Sequence, residues 1–238
     1  MICRSRALLC AVALVSLVGG CTATPSSAPQ VARRIAASDS PSQAGGACRW
    51  MPVPSGNGAS VKDVGTPPAA VPSGAKATMS LATNLGAVEI AMDAKAAPCA
   101  VASFSYLAGK KFFDGTACHR LTTAGLFVLQ CGDPSGTSTG GPAYQYAEEN
   151  LGTSAGYLRG SVAIARTQQP GTSGSQFFIN YADNLPLSAD YTRLGTVTKG
   201  MDIIDKVAAG GVTPGGNGPD DGVPKTRIVL QQVTVVYN

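Results

Sequence analysis

The chain has 238 residues, 44% of them hydrophobic and 13% charged, with 29 Gly and 16 Pro. That length suits one ordinary core with appendages, and low charge beside abundant Gly and Pro divides the chain into structured and linker parts rather than making it collagenous or wholly disordered. The net charge of +4 falls to +2 if a leader holding Arg4 and Arg6 is removed, too little to indicate a nucleic acid or another acidic partner. A single histidine, His119, excludes multi-histidine metal sites and leaves any metal to the seven cysteines, which lack paired C-x-x-C spacing, so no metal is expected.

In chain order, Met1 to Arg6 is short and basic, Ala7 to Val18 is mainly apolar, and Gly19-Gly20-Cys21 is small, the pattern of a signal peptide over residues 1–20. The apolar run is shorter than the roughly 18 residues of a permanent membrane span. Leu17-Val18-Gly19-Gly20-Cys21 resembles a bacterial lipobox, in which the cysteine thiol is acylated and becomes the new N-terminus. Cys21 is therefore expected to carry lipid, since two acyl chains anchor stably where one does not. Plain secretion is the alternative. Residues 21–76 are rich in Pro, Ser, Ala and Gly and lack apolar periodicity, so they read as a tether that cannot offset its own chain entropy. The exception is Cys48-Arg49-Trp50, which holds the only tryptophan and is expected to dock onto the folded part, residues 77–238.

That part opens with a hairpin. Met79 to Thr83 and Val88 to Met92 alternate partially and flank Asn84-Leu85-Gly86. Pro98 then starts a helix carrying Val101, Phe104, Leu107 and Ala108 at helical spacing, ended by Gly109 and two lysines. Short apolar runs follow at 118–121, 127–131, 160–165, 176–180 and 229–237, interrupted by a second helix near 200–208. Many short strands and two helices predict a mainly β domain, a closed antiparallel barrel with helical caps.

Several features read as structural. In a secreted chain, removing Cys3 and Cys10 with the leader and Cys21 with the lipid leaves four cysteines, so two disulfides are expected among Cys48, Cys99, Cys118 and Cys131. Three pairings are possible. The favoured one joins Cys118 to Cys131, both on runs that read as neighbouring strands, which leaves Cys48 for Cys99. Cys118-His119 is not a nucleophilic dyad, because adjacent residues of a strand point to opposite faces. The Gly132 to Pro142 stretch lacks the lysine of a phosphate loop, and Glu148-Glu149 reads as solvated or capping carboxylates.

The informative stretches are Cys118-His119-Arg120-Leu121, Phe127-Val128-Leu129-Gln130-Cys131-Gly132-Asp133 and Gly174-Ser175-Gln176-Phe177-Phe178-Ile179. In their order they resemble the cyclophilin family of peptidyl-prolyl isomerases, whose motifs read F-H-R, F-x-x-Q-G-G-D and G-S-Q-F-F-I. The resemblance covers about 77–238, including Gly140-Gly141, Ala163 to Arg166 and Tyr191 to Gly195; the cysteines and tether resemble the extracytoplasmic actinobacterial members. It implies an eight-stranded barrel capped by two helices. It also implies that Arg120 is the catalytic arginine and that Gln130 binds substrate backbone. Phe127, Val128, Phe178 and Leu187 match the proline-pocket walls, His119 the motif histidine, and Tyr191 the rim position usually held by histidine. Ala165 and Arg166 match the peptide-contacting segment, where the backbone does most of the binding, and Gln176 the glutamine of the same site.

The chain also departs from the pattern. Cys118 stands for phenylalanine, Cys131 for glycine and Leu194 for phenylalanine, and two extra residues separate Arg120 from Phe127. The tryptophan used for cyclosporin is missing, with Leu185 or Pro186 near its place, which argues against cyclosporin binding. The implied activity, which needs no cofactor, is cis-trans isomerisation of X-Pro bonds in exported polypeptides by a lipid-anchored monomer outside the cytoplasmic membrane. The alternative is a non-catalytic proline-peptide binder or holdase using the same groove. Thiol-disulfide exchange at Cys118 or Cys131 is the weakest reading.

Overall fold

The computed structural model describes residues 47–54, 59–71, 76–152 and 156–238. The leader, Cys21 and the tether up to residue 46 lie outside the described residues. Two two-residue strands come first, β1 (Met51–Pro52) and β2 (Ser60–Val61), followed by the hairpin β3 (Ala77–Thr83) and β4 (Gly86–Met92) and the helix α1 (Pro98–Gly109). Then come β5 (Thr116–Ala117), β6 (Arg120–Thr122), β7 (Val128–Cys131), β8 (Gly140–Gly141), β9 (Tyr144–Gln145), β10 (Ser161–Ile164), β11 (Phe177–Asn180) and β12 (Arg193–Lys199). The chain ends with α2 (Met201–Ala209), β13 (Val212–Gly215), β14 (Gly218–Pro224) and β15 (Val229–Tyr237). Among the described residues no helix is long and apolar enough to cross a membrane.

The β3–β4 hairpin forms where the sequence places it. Met79, Leu81, Val88, Ile90 and Met92 alternate into the core, and Thr83 closes the turn by donating to the Gly86 carbonyl at 2.6 Å while accepting from the Leu85 amide at 3.0 Å. Helix α1 has Pro98 in its first turn and no cap from its own N-terminal residue, Ala97. Glu149 supplies one from a distance, its two carboxylate oxygens accepting the Cys99 and Ala100 amides at 3.1 and 2.8 Å. Val101, Phe104 and Leu107 then sink fully into the core, Phe104 stacked on Phe113 and edge-on to Phe177. Burying one such phenylalanine stabilises by about 2–3 kcal/mol.

Eleven strands form one sheet in the order β13-β14-β6-β7-β11-β10-β12-β4-β3-β15-β5. Its two ends approach each other through the chain itself: β5 runs into β6 by way of Cys118, whose amide donates to Ile228 O, and His119, whose amide donates to Gln130 O. The result is a mainly β, curled open half-barrel with two helices. Among the described residues no ladder joins β13 to β5, so this differs from the expected closed eight-stranded barrel. The extra strands come from 193–199 and from the Gly- and Pro-rich 212–224, where β13 and β14 are held by backbone pairing and show no apolar alternation to read.

The segment assigned to the tether differs as well. Residues 47–54 and 59–71 of it form a strap on the domain: β1 pairs antiparallel with β9, and β2 pairs parallel with β8. Trp50 packs edge-on to Tyr144 and Tyr146 at 5.3 and 5.4 Å, so the expected docking occurs. Tyr106 donates to Val64 O, Lys62 donates to Phe112 O, and the Cys48–Cys99 disulfide fixes one end. The favoured pairing holds, with Cys118–Cys131 as the second bridge. Isolated anchors and backbone bonds hold this segment, which is why no periodicity betrays it.

Candidate active site

Sheet register assembles the site. Arg120 of β6 lies opposite Gln130 of β7, Gln130 opposite Phe178 of β11, and Phe178 opposite Ala163 of β10. These four form a row across one face, while Leu121, Leu129, Phe177, Ile179, Val162 and Ile164 fall in the main core on the other. One motif residue is dictated by space: Gly132 has φ +88°, and a Cβ there would lie 2.3 Å from Ser175 O.

A polar chain runs along the row. Asp221 accepts two bonds from the Arg120 fork, from Nε at 2.8 Å and Nη2 at 2.7 Å, and Arg120 Nη1 donates to Gln130 Oε1 at 3.2 Å. Gln130 Nε2 donates to Gln176 Oε1 at 2.8 Å, and Gln176 Nε2 donates to the carbonyls of Gly140 and Ser138. Asp221 raises the pKa of a guanidinium that is already permanently charged, outweighing its partial burial; in return Arg120 holds the Asp221 carboxyl below the usual carboxylate range. The side chains of this pair are 30% and 17% exposed, so the ion pair is partly desolvated yet open on one side.

Beside the chain lies an apolar cluster separate from the main core. Val128, Tyr157, Ala163 and Phe178 are buried in it, with Leu126, Ala165, Leu187 and Tyr191 packed around them. The Phe178 and Tyr191 rings meet edge-on at 5.4 Å, and the Tyr157 hydroxyl donates to Tyr191 O while accepting from the Tyr191 amide. Beyond Gln130 and Gln176 a groove of about 650 Å³ continues, lined on one side by Ala165 and Arg166 and on the other by Val53, Pro54 and Val61 of the strap.

Most of the residues singled out by sequence converge here, and two, Phe127 and His119, are placed differently from expectation. Phe127 lies apart from the apolar cluster, its ring edge-on to Tyr181 at 5.9 Å. His119 is 6% exposed and does not present its ring to a ligand; burial lowers its pKa and keeps it neutral, opposed chiefly by Asp133. The Arg166 guanidinium is tied back into its own loop, donating to Asp190 O and Thr167 O and lying 5.4 Å over the Tyr191 ring. Arg166 still lines the groove with Ala165, whose amide donates to Gln176 O, in keeping with a segment expected to bind through its backbone. Sequence reasoning missed Asp221, Tyr157 and Leu126. Glu148 and Glu149 both accept backbone amides, so their structural reading stands.

A family model described as cyclophilin type peptidyl-prolyl cis-trans isomerase matches residues 78–235. The chain belongs to this family. The Mycobacterium leprae protein named "Probable peptidyl-prolyl cis-trans isomerase B" is 40% identical over 172 residues, covering 67% of this chain and 57% of the relative. Peptidyl-prolyl cis-trans isomerase B of Streptomyces anulatus is 35% identical over 176 residues, 66% of this chain and 94% of that one. The cyclophilin therefore spans little more than half the length of the mycobacterial relatives. The crystal structure of a Cryptosporidium parvum cyclophilin in the presence of the dipeptide Ala-Pro shares the fold, with a TM-score of 0.59 at 24% identity over 68% of this chain and 99% of that one.

Proposed function

We propose that this cyclophilin is a peptidyl-prolyl cis-trans isomerase that accelerates X-Pro rotation in exported polypeptides, with Arg120 as its catalytic residue. The observation that carries the reading is a guanidinium clamped by Asp221 and Gln130 in the same strand row as Phe178 of the apolar cluster. An arginine has five N–H donors; Asp221 takes two and Gln130 one, which leaves one donor on each terminal nitrogen.

Amide resonance sets a barrier of about 18–20 kcal/mol. At the twisted transition state the prolyl nitrogen becomes pyramidal and regains a lone pair. A free Arg120 N–H bonds to that nitrogen more strongly than to the planar ground state, so the interaction lowers the barrier rather than merely tightening binding. Val128, Phe178 and Leu187 grip the ring by apolar contact; Gln130 and the backbone at Ala165 and Arg166 hold the adjoining peptide, leaving one side of the bond free to turn. A reduction of about 7 kcal/mol corresponds to roughly 10⁵ in rate, within reach of electrostatics and positioning alone. Tyr191 closes the rim, and no bond to the enzyme forms.

The leader, the lipobox at Cys21 and the even set of paired cysteines support a lipid-anchored enzyme at the outer side of the cytoplasmic membrane. The test is X-Pro cis-trans exchange measured by NMR on a short proline peptide with substoichiometric protein. Acceleration is expected. Saturable binding without acceleration would establish the proline-binding or holdase reading instead.

A further inference from the structure

We propose that Asp221 is the positioning residue of Arg120, an inference that rests on the isomerase reading above. Asp221 stands on β14, which joins the sheet beside β6 with Asp221 opposite Thr122 and Gly222 opposite Leu121. The strand that carries it is fixed closely: a Cβ on Gly222 would sit 2.0 Å from Thr213 O and 2.7 Å from the Gly215 amide, so β13 and β14 approach as only glycine allows. From this strand the carboxylate meets the Nε and Nη2 edge of the guanidinium in a bidentate pair, the geometry that matches two parallel N–H donors to two oxygens.

Two consequences follow from the chemistry. Arg120 is a long side chain with much rotamer freedom, and a fork clamped along one edge has only its terminal donors left to offer, in one orientation. Gln130 takes one donor of Nη1, so the remaining donors cannot rotate out of the site without breaking a bond to Asp221 or to Gln130. Asp221 touches no reacting atom in this scheme. It sets where the catalytic donors are, and it balances the charge of Arg120 when the site is empty.

The molecule contains its own control. Arg159 and Asp205 also form a bidentate pair, here through the two terminal nitrogens at 2.7 Å, with side chains 44% and 47% exposed. That pair lies outside both the apolar cluster and the groove. A merely structural ion pair behaves as this one does.

The experiment uses the full chain and a short proline peptide, with kcat and KM separated by NMR exchange, for the wild type, Asp221→Asn, Asp221→Glu, Asp205→Asn and Arg120→Ala. The Arg120 Nε–H resonance is followed in ¹H–¹⁵N spectra of the same samples, which also report whether each variant is folded. In Asp221→Asn, kcat is expected to fall roughly 10- to 100-fold with KM within about threefold, and the Nε–H signal to lose its protection from exchange. Asp221→Glu, which keeps the charge, recovers part of kcat and guards against a folding failure in the first variant. Asp205→Asn stays within about twofold of wild type. A folded Asp221→Asn with wild-type kcat, while Arg120→Ala is inactive, overturns the positioning role alone. An active Arg120→Ala overturns the reading on which it rests.

Discussion

The site face and the strap are built by opposite means. Across β6, β7, β11 and β10 the register repeats, so each side chain of the row inherits its place from its neighbours and Arg120, Gln130, Phe178 and Ala163 stand in line. The strap has two-residue strands and a few singular anchors, Cys48, Trp50, Lys62 and the carbonyl of Val64. Yet both border the same groove. The contrast teaches that the row should tolerate loss of the strap's anchors, while the strap should depend on each of them.

Four measurements would break or sharpen that contrast. The largest effect is expected for Phe178→Ala, which empties a buried ring position shared by Val128 and Tyr157. Stability should fall by about 3–5 kcal/mol in denaturant unfolding, and KM for a proline peptide should rise. Next comes the double variant Cys48→Ser with Cys99→Ser, which opens a loop of sequence separation 51. It should lower stability by about 2–4 kcal/mol while leaving kcat on a short peptide within a few fold, since Arg120 and Phe178 are held by strands. Loss of activity on the scale of the stability change would mean the strap and the row are one unit. Glu149→Gln, removing the charge that caps α1, should cost about 1 kcal/mol, read from the denaturant midpoint.

The smallest effect concerns His119, the chain's only histidine, so its titration is unambiguous in mildly acid solution. Burial lowers its folded pKa, so below the ordinary value of about 6.5 the unfolded chain takes up a proton that the folded chain refuses. Stability should therefore be level above that pH and decline as pH falls toward the folded value. A stability that rises over this range would show that Asp133, not burial, governs the ring. Asp221 acts lower: its folded pKa is depressed, so its contribution is present above the usual carboxylate range and is lost as pH falls through the folded value.

How much of this was legible follows from the same contrast. Arg120, Gln130, Gln176 and Phe178 could be read because separated motifs keep their order, the β3–β4 hairpin because burial there alternates, and α1 because Pro98 and Gly109 bracket an apolar run. Asp221 could not, since it sits in a Gly- and Pro-rich hairpin whose pairing is written in backbone hydrogen bonds rather than in side-chain alternation. Strap residues look like linker for the same reason. Motif position assigns Phe127 to the pocket, and nothing in the Leu126-Phe127-Val128 run signals that its ring instead meets Tyr181. The disulfides were legible through arithmetic on cysteines and neighbouring runs.

The central claim is that the Arg120 fork lowers the barrier to prolyl rotation. The most direct test is the cis-trans exchange rate of one short X-Pro peptide under wild-type protein and under Arg120→Ala, with peptide binding measured in both. The account expects the wild type to accelerate exchange and the variant to lose at least roughly 100-fold of kcat/KM while still binding peptide in the Phe178 pocket. A folded Arg120→Ala that accelerates exchange as the wild type does would contradict it.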